Sequence, residues 1–296
     1  MNQKTLKNTY TFEGRGLHSG KMSHMKVCPA PVDTGIRFHR TDLGEDAFVD
    51  AIAQNVSLTA RSTTISKGKV TVSTIEHLLS ALTGLGVDNA LIEVDNVEVP
   101  ILDGSADFYV KAIYPDGLEE QDAERKYIEI GSEFTYKDEK TGSYIKLIPD
   151  DHPSYEVTID FNSRVLGVQT VKWDPSMDYV HEIAPCRTFC FLHEIQFLAS
   201  LGLIKGGDVE NAIVVVEKPV SEQKIAKLAK TFGHPELKVT EQGYLSNLEL
   251  HFPDECGRHK LLDVIGDLRL VGGFLNAKVV AFKPGHKINT KVAKLI

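Results

Sequence analysis

The chain has 296 residues, of which 42% are hydrophobic and 25% charged, a composition typical of a globular protein large enough for two domains. Its formal net charge of −8 and the lack of a basic patch argue against a nucleic-acid partner. The polar first segment, the absence of any apolar run near the ~20 residues of a membrane span, and four cysteines without paired spacing predict a cytoplasmic protein without disulfides.

The first 72 residues are predicted to form strands and turns. Residues 9–12 alternate between polar and apolar side chains, and residues 35–40 have the composition of a strand. Residues 14–20 are punctuated by glycine and predict a loop. His18 lies in this loop, where the sequence alone favours a polar turn residue over a functional one.

A helix with clear ends is predicted over residues 73–84. Ser73 and Glu76 match a capping box, and the glycines that follow can end the helix. Glu76 therefore has two interpretations, a cap of its own helix or a general base. Neighbouring helical residues project about 100° apart, so Glu76 and His77 are not expected to chelate one metal ion together. They could divide the work, with His77 as a ligand and Glu76 as a base.

The middle of the chain alternates strands, turns and helices. Residues 89–94 predict a strand, and Ser105 can cap a helix that runs to about Tyr114. The turn-rich and acidic residues 115–124 are interpreted as a domain linker. Strand patterns return over residues 127–172.

The second half of the chain repeats the order helix, strand, turn and helix that is predicted for residues 73–114. Its predicted elements are helices at residues 194–203, 221–231, 258–270 and 289–296, and strands at residues 212–216 and 277–282. Two similar units of mixed helix and sheet would pack with their helices either between the sheets or on the outer faces. Facing units would bring His77 and His259 to one seam, where sites are often found.

The helix predicted over residues 258–270 carries the most distinctive pattern. One face is apolar, whereas His259, Asp263 and Asp267 follow one another at i, i+4 and i+8. A His and a carboxylate one turn apart can bind the same cation, with nitrogen and oxygen ligands that suit Zn²⁺. The spacing alone is weak evidence, because solvated helix faces also produce it. A metal site therefore needs further ligands from elsewhere in the chain.

An ordered set of short motifs spans nearly the whole chain. Its members are GLHSG at residues 16–20, EH at 76–77, LDGSA at 102–106, RTF at 187–189, HKLLD at 259–263, Asp267 and KPGH at 283–286. Each motif carries little weight by itself. The ordered set, however, strongly resembles the UDP-3-O-acyl-N-acetylglucosamine deacetylases, a family of zinc amidases that commit Gram-negative bacteria to lipid A synthesis.

The resemblance implies an α+β fold of two similar βααβ sandwich domains packed together, each with a small insert. The domains would be residues 1–123 and 124–296, and the second would carry a βαβ insert at about residues 190–250. Residues 218–243 look longer than expected of that insert, and their role is open. The expected partner is a small-molecule substrate, with at most peripheral contact with the inner membrane. The chain would be a monomer unless it is fused to an oligomeric 3-hydroxyacyl-carrier-protein dehydratase, as happens in some bacteria.

The resemblance also implies a Zn²⁺ site with one open position. Its ligands would be His77, His259 and Asp263, and Glu76 would be the general base that takes a proton from the attacking water.

Four further residues are implied to act on the reacting amide or the diphosphate. Thr188 would donate a hydrogen bond to the tetrahedral oxyanion, and His286 would stabilise the intermediate or protonate the leaving amine. Asp267 would orient His286 and raise its pKa. Lys260, turned off the stripe of ligands, would face the substrate and its diphosphate.

Apolar residues are implied to bind the rest of the substrate. Phe161 would stack near the nucleotide. The walls of an acyl passage would be Leu17, Phe189, Phe191, Ile195, Leu203 and Gly207. On the residues alone, ordinary core packing is the preferred interpretation of the apolar spacing of Phe191, Ile195 and Leu203.

Two other functions are open on the residues. A different metal-dependent hydrolase, such as a phosphohydrolase, would need more His–Asp pairs than the sequence contains. An inactive sugar-nucleotide-binding protein would not be expected to carry Glu76, Thr188 and His286 beside a ligand set. One metal ion with acetate release would support the deacetylase, two metal ions with phosphate release the phosphohydrolase, and no metal the inactive protein.

Overall fold

A computed structural model of the chain describes residues 1–195, 211–232 and 236–296. Within these ranges helices and several sheets are combined, which confirms the predicted α+β class. The described strands are β1 (Asn2–Leu6), β2 (Tyr10–Arg15), β3 (Met22–Pro29), β4 (Ile36–Arg40), β5 (Phe48–Asp50), β6 (Val56–Leu58), β7 (Thr64–Lys67), β8 (Val70–Ser73), β9 (Ala90–Val94), β10 (Leu118–Glu124), β11 (Tyr127–Glu129), β12 (Phe134–Lys137), β13 (Tyr144–Pro149), β14 (Ser154–Asp160), β15 (Val168–Trp173), β16 (Phe189–Phe191), β17 (Ile213–Val215) and β18 (Phe274–Phe282). The described helices are α1 (Glu76–Leu85), α2 (Asp107–Ile113), α3 (Tyr179–Glu182), α4 (Glu222–Phe232), α5 (Glu255–Leu268) and α6 (His286–Ala293).

Two sheets share one strand arrangement. The five-stranded sheet has the order β2-β3-β9-β4-β5, and the six-stranded sheet has the order β12-β13-β18-β14-β15 with β11 beside β18. The central strand, β9 or β18, is antiparallel to one neighbour and parallel to the other in both sheets. A helix precedes and another follows each central strand along the chain. The internal repeat predicted from the order of the elements is therefore also present in the strand pairing.

Smaller sheets lie outside this repeat. Strands β6, β7 and β8 form a three-stranded sheet in the first half, and β16 pairs in parallel with β17 in the second half. A parallel pair is expected of a βαβ insert, since parallel strands need a crossover connection. Most of the helix predicted at residues 194–203 lies outside the described residues.

The stretch predicted as a domain linker is a paired strand instead. Within residues 115–124, β10 runs antiparallel to β1, with Lys4 opposite Glu120 and Leu6 opposite Leu118. The turn signals belong only to a short 3₁₀ turn at Tyr114–Asp116, while the acidic residues that follow alternate along the strand. Acidic composition was a poor guide here because a partly exposed strand tolerates charged side chains. The position of the domain boundary stays a prediction.

Helices α1 and α5 pack directly against each other where the two halves of the chain meet. One hydrophobic core includes Leu78 and Leu82 of α1 together with Leu261 and Ile265 of α5. Helix α5 also packs on β14 and β15. Although α5 is largely buried, neither it nor any other described helix has the length and apolar character needed to cross a bilayer.

Gly266 permits the close approach of α5 to α1. A Cβ atom at this position would overlap the carbonyl oxygen of Glu76 and lie 3.1 Å from the amide nitrogen of Ser80. The backbone of α1 therefore occupies the space beside Gly266.

We expect Gly266→Ala to lower the free energy of unfolding by about 1–3 kcal/mol, the usual effect of overpacking, because neither backbone can move aside freely. The matched control is Gly131→Ala, since a Cβ at Gly131 meets nothing within 4 Å. Chemical denaturation of both variants tests this expectation. Equal stability of the two variants would show that the helices can separate without cost.

Candidate active site

Helices α1 and α5 bring three metal-ligating side chains together. His77 of α1 and His259 and Asp263 of α5 each offer a ligand atom within 4.8 Å of the other two. Oδ1 of Asp263 lies 3.6 Å from Nε2 of His77 and 3.5 Å from Nε2 of His259. A tetrahedral ion with bonds of about 2.0–2.1 Å to nitrogen and oxygen has ligand atoms about 3.3 Å apart. The stripe on the predicted helix thus gains a third candidate ligand from the other half of the chain.

The three side chains are buried, and their protonation suits metal binding. Burial lowers the pKa of His259 to about 3, so its imidazole is neutral, and its Nδ1 faces the carbonyl oxygen of Cys186 at 3.1 Å. Burial opposes ionisation of Asp263, but the neighbouring Lys260 ammonium outweighs it and holds the pKa of this carboxyl well below its usual range. Within the described part of the chain, Oδ1 of Asp263 has no hydrogen-bond donor. A buried, ionised oxygen without a donor fits a metal ligand.

Glu76 has different partners from its neighbour His77. Its Oε2 accepts a hydrogen bond from the backbone N–H of Thr63 at 3.0 Å, and its Oε1 lies 3.7 Å from Nε2 of His286. Burial raises the pKa of Glu76 above that of an ordinary glutamate, towards the range of a general base. The two neighbours on α1 therefore serve separate groups, as their helical spacing predicts.

The predicted capping box of α1 is wrong. The helix begins at Glu76 without a side-chain cap, and Ser73 is the last residue of β8, where its hydroxyl donates to the carbonyl of Val97. Between them Thr74 has a φ of 61°, so the chain turns sharply before the helix starts. Of the two interpretations of Glu76, the cap is excluded.

A second charged pair lies beside Glu76. His286 is the first residue of α6, so the last helix starts earlier than the predicted start at residue 289. Nδ1 of His286 lies 2.9 Å from Oδ2 of Asp267, which also accepts a hydrogen bond from Nδ2 of Asn289 at 2.9 Å. Burial opposes the charge on His286, but Asp267 and Glu76 more than offset it and raise its pKa to about 9. His286 is therefore a cation at neutral pH.

Sequence reasoning missed two residues that contact Asp267. Asn289 lies three residues after His286 on the same helix, and this spacing could have indicated it. The hydroxyl of Thr63 donates to Oδ1 of Asp267 at 2.5 Å across a separation of 204 residues, for which no local pattern exists.

A cavity of ≈ 780 Å³ opens beside these groups. Its wall includes the candidate ligands, Glu76 and His286, and continues to Val214, Leu228 and Leu245, which belong to a separate small hydrophobic cluster. The predicted site residues that also line it are Leu17, Phe161, Thr188, Phe189, Phe191, Ile195 and Lys260. The predicted wall residues Leu203 and Gly207 lie outside the described residues.

Aromatic side chains form one part of this wall. The ring of Phe161 is 5.4 Å from that of Phe189 and 5.7 Å from that of Phe191, in edge-on and tilted arrangements. Phe161 is 42% exposed, so its ring is available at the surface. This cluster could contact an apolar or stacked group of a ligand.

Lys260 is placed differently from the prediction. Its Nζ lies 2.7 Å from Oδ2 of Asp263 and 5.7 Å from the ring of Phe189. Side chains three residues apart on a helix are neighbours, so a long lysine reaches the stripe from which it was expected to turn away. It still lines the cavity and adds positive charge beside the ligands.

Thr188 enters the cavity wall at the start of β16. Its N–H donates to the carbonyl of Gly104 and its carbonyl accepts from the N–H of Ile213, both at 2.8 Å. The preceding Arg187 binds Glu255 at the start of α5 through a buried ion pair of 2.9 Å. The two hydrogen bonds and the ion pair of the adjacent Arg187 thus fix the backbone of Thr188.

His18 is also part of the site, although the sequence alone favoured a turn residue. Its backbone N–H donates to Oε1 of Glu98 at 3.0 Å, and its side chain lines the cavity. Nε2 of His18 is buried and has no hydrogen-bond partner among the described residues. The position of His18 within the GLHSG motif could have indicated this role, whereas the glycine-rich turn pattern by itself could not.

Comparisons with known proteins agree over the whole chain. Residues 3–235 and 233–296 match the family described as LpxC: UDP-3-O-acyl N-acetylglycosamine deacetylase. The chain is 41% identical over 296 residues to a UDP-3-O-acyl-N-acetylglucosamine deacetylase of Pseudomonas entomophila, which covers 99% of the chain and 89% of that relative. A deacetylase of the same name from Cellvibrio japonicus is 40% identical over 299 residues, covering 100% of the chain and 90% of the relative. The Bifunctional enzyme LpxC/FabZ of Porphyromonas gingivalis is 44% identical over 294 residues, which are 99% of the chain but only 64% of that relative.

Proposed function

Because the chain belongs to the family of UDP-3-O-acyl-N-acetylglucosamine deacetylases, we propose that it hydrolyses the N-acetyl group of a UDP-3-O-acyl-N-acetylglucosamine and releases acetate, as a step of lipid A biosynthesis. One observation carries the proposal beyond the names of relatives. The His–His–Asp group, the buried Glu76 and His286, which is paired with Asp267, all border one largely apolar cavity. An amide hydrolase for an acylated substrate needs these parts together.

Zn²⁺ is the ion that we propose for His77, His259 and Asp263. Two imidazole nitrogens and one carboxylate oxygen, with a fourth position left for water, are the donor set of many catalytic zinc sites. When bound there, the ion would polarise the amide carbonyl and make water a better nucleophile at neutral pH.

The remaining groups divide the proton transfers. Glu76 accepts the proton of the attacking water at Oε1, because its Oε2 is occupied by the N–H of Thr63. His286 carries a proton on Nε2, since Nδ1 is bound to Asp267, and it gives that proton to the leaving amine. Thr188 donates a hydrogen bond to the developing oxyanion.

Binding of the rest of the substrate follows the cavity. The acyl chain would lie along Leu17, Phe189, Phe191 and Ile195, where each buried CH₂ contributes about 0.8 kcal/mol. Phe161, at the surface, would stack near the nucleotide, and Lys260 would balance the charge of the diphosphate.

The direct test is to incubate the purified chain with UDP-3-O-acyl-N-acetylglucosamine and to follow acetate release with and without a metal chelator. We expect one metal ion per chain and acetate release that the chelator abolishes. Release of phosphate with two bound ions would favour the phosphohydrolase, and binding without turnover would favour the inactive protein. The wild-type chain failing to release acetate when loaded with zinc would contradict the proposal.

The pH profile should identify the acid. We expect a bell-shaped profile of kcat/KM, whose basic limb reports the loss of the proton from His286, with a pKa of about 9 in the free protein. Asp267→Asn removes the largest charge that stabilises this cation, so the pKa of His286 falls and the basic limb moves to lower pH.

The matched control for this experiment is Asp95→Asn. Asp95 forms an exposed pair with His24 at 2.7 Å, and neither residue lines the cavity, so the variant should leave the profile unchanged. A basic limb that stays in place in the Asp267→Asn variant would mean that another group controls it.

A further inference from the structure

All polar groups of Thr63 form hydrogen bonds with elements of the active site. Its N–H donates to Oε2 of Glu76 at 3.0 Å, and its hydroxyl donates to Oδ1 of Asp267 at 2.5 Å. Its carbonyl accepts a hydrogen bond from the N–H of Ile75, directly before α1, at 3.4 Å. Thr63 is completely buried, and the cavity wall beside it is formed by its neighbours Ser62 and Thr64.

These contacts join groups from the two halves of the chain. Glu76 stands at the start of α1 and Asp267 near the end of α5, whereas Thr63 precedes β7 in the small three-stranded sheet. Thr63 donates its N–H to Glu76 and its hydroxyl to Asp267, so it lies between the two carboxylates. A residue that donates one hydrogen bond to each carboxylate fixes both of them.

Each of these two hydrogen bonds occupies one carboxylate oxygen and leaves the other oxygen for contact with His286. With Oε2 of Glu76 held by Thr63, the other oxygen, Oε1, is the one near His286. With Oδ1 of Asp267 held by Thr63, Oδ2 is left for Nδ1 of His286. Thr63 thus links the position of the base to that of the acid.

We propose that Thr63 is a positioning residue of the hydrolysis, holding Glu76 and the Asp267–His286 pair in register across the seam between α1 and α5. This inference rests on the proposed function. Because Thr63 directly precedes β7, the proposal gives the three-stranded sheet of β6, β7 and β8 a role in catalysis in addition to forming part of the cavity wall.

The test compares Thr63→Val, which keeps the shape and the backbone N–H but removes the hydroxyl, with Thr63→Ser, which keeps the hydroxyl. Without the hydroxyl, Asp267 and with it His286 lose a positioning contact, so we expect kcat of Thr63→Val to fall by roughly 10–100-fold, within the ~10²-fold that a 1 Å misplacement can cost. KM and metal content should match the wild type, because Thr63 contacts neither a candidate ligand nor the cavity. Thr63→Ser should restore kcat to within a few-fold.

The control is Thr71→Val in the same sheet. It removes a hydroxyl that binds Ser66 among the described residues. It should leave kcat unchanged.

A Thr63→Val enzyme with wild-type kcat overturns the inference, and so does a Thr63→Ser enzyme as slow as Thr63→Val, because shape rather than the hydroxyl would then matter. If Thr63→Val does not fold, Thr63→Ala is compared with Thr63→Ser by the same criteria. A wild-type chain that releases no acetate rejects the proposed function, whereas an active wild type with an unaffected variant rejects only the role of Thr63.

Discussion

His259→Ala should strip most of the metal from the purified chain and abolish acetate release. The variant leaves His77 and Asp263 as the only members of the candidate ligand group, and it also breaks the contact between His259 and the carbonyl of Cys186. Losing a partner outside the ligand shell costs roughly 10–100-fold in metal affinity, and losing a ligand itself should cost more.

Elemental analysis after dialysis measures this loss without relying on activity. His181→Ala is the matched control, because His181 is also in a His–Asp pair, with Asp178 at 2.7 Å, but its side chain is 73% exposed. The control should keep its full metal content and activity. A stoichiometric metal ion in the His259→Ala variant would remove His259 from the ligand set and require another third ligand.

The part of this site that one helix carries was predictable from the sequence. His259, Asp263 and Asp267 share a stripe because the helical repeat places every fourth residue on one side. The stripe is buried, however, although an i, i+4 pattern of charged residues is usually a solvated face. Periodicity shows which side chains share a face but does not show what covers that face.

The contacts across the seam were beyond local sequence rules. The internal repeat suggested that His77 and His259 would meet, and the family resemblance supplied their roles. By contrast, the hydrogen bonds of Thr63 to Glu76 and Asp267 join distant segments, and no periodicity encodes them. The wrong capping box has the same origin: Ser73 and Glu76 have the required spacing, but Ser73 belongs to β8, where its hydroxyl binds the carbonyl of Val97.

Glu76→Gln should retain the metal and the substrate affinity while kcat falls by roughly 10²–10⁴-fold, the usual contribution of a general base. Glutamine keeps the size of the side chain, and its amide oxygen can still accept the N–H of Thr63. It cannot accept a proton from water. It also removes one of the charges that raise the pKa of His286, so the basic limb of the residual activity should move to lower pH.

These combined readouts separate a base from a structural residue. Glu156→Gln is the matched control, because Glu156 of β14 pairs with Lys172 of the neighbouring strand β15, and the variant should leave metal content, rate and pH profile unchanged. Loss of metal from Glu76→Gln would instead make Glu76 part of the metal site.

Full activity with full metal content would show that Glu76 only holds α1 against Thr63, and the proton would then have to go to His286. Since His286 has a pKa of about 9, it is already protonated at neutral pH and is a poor acceptor there. The geometry and the charge of the pair therefore both support the proposal that Glu76 is the base, and the rate of this one variant tests it.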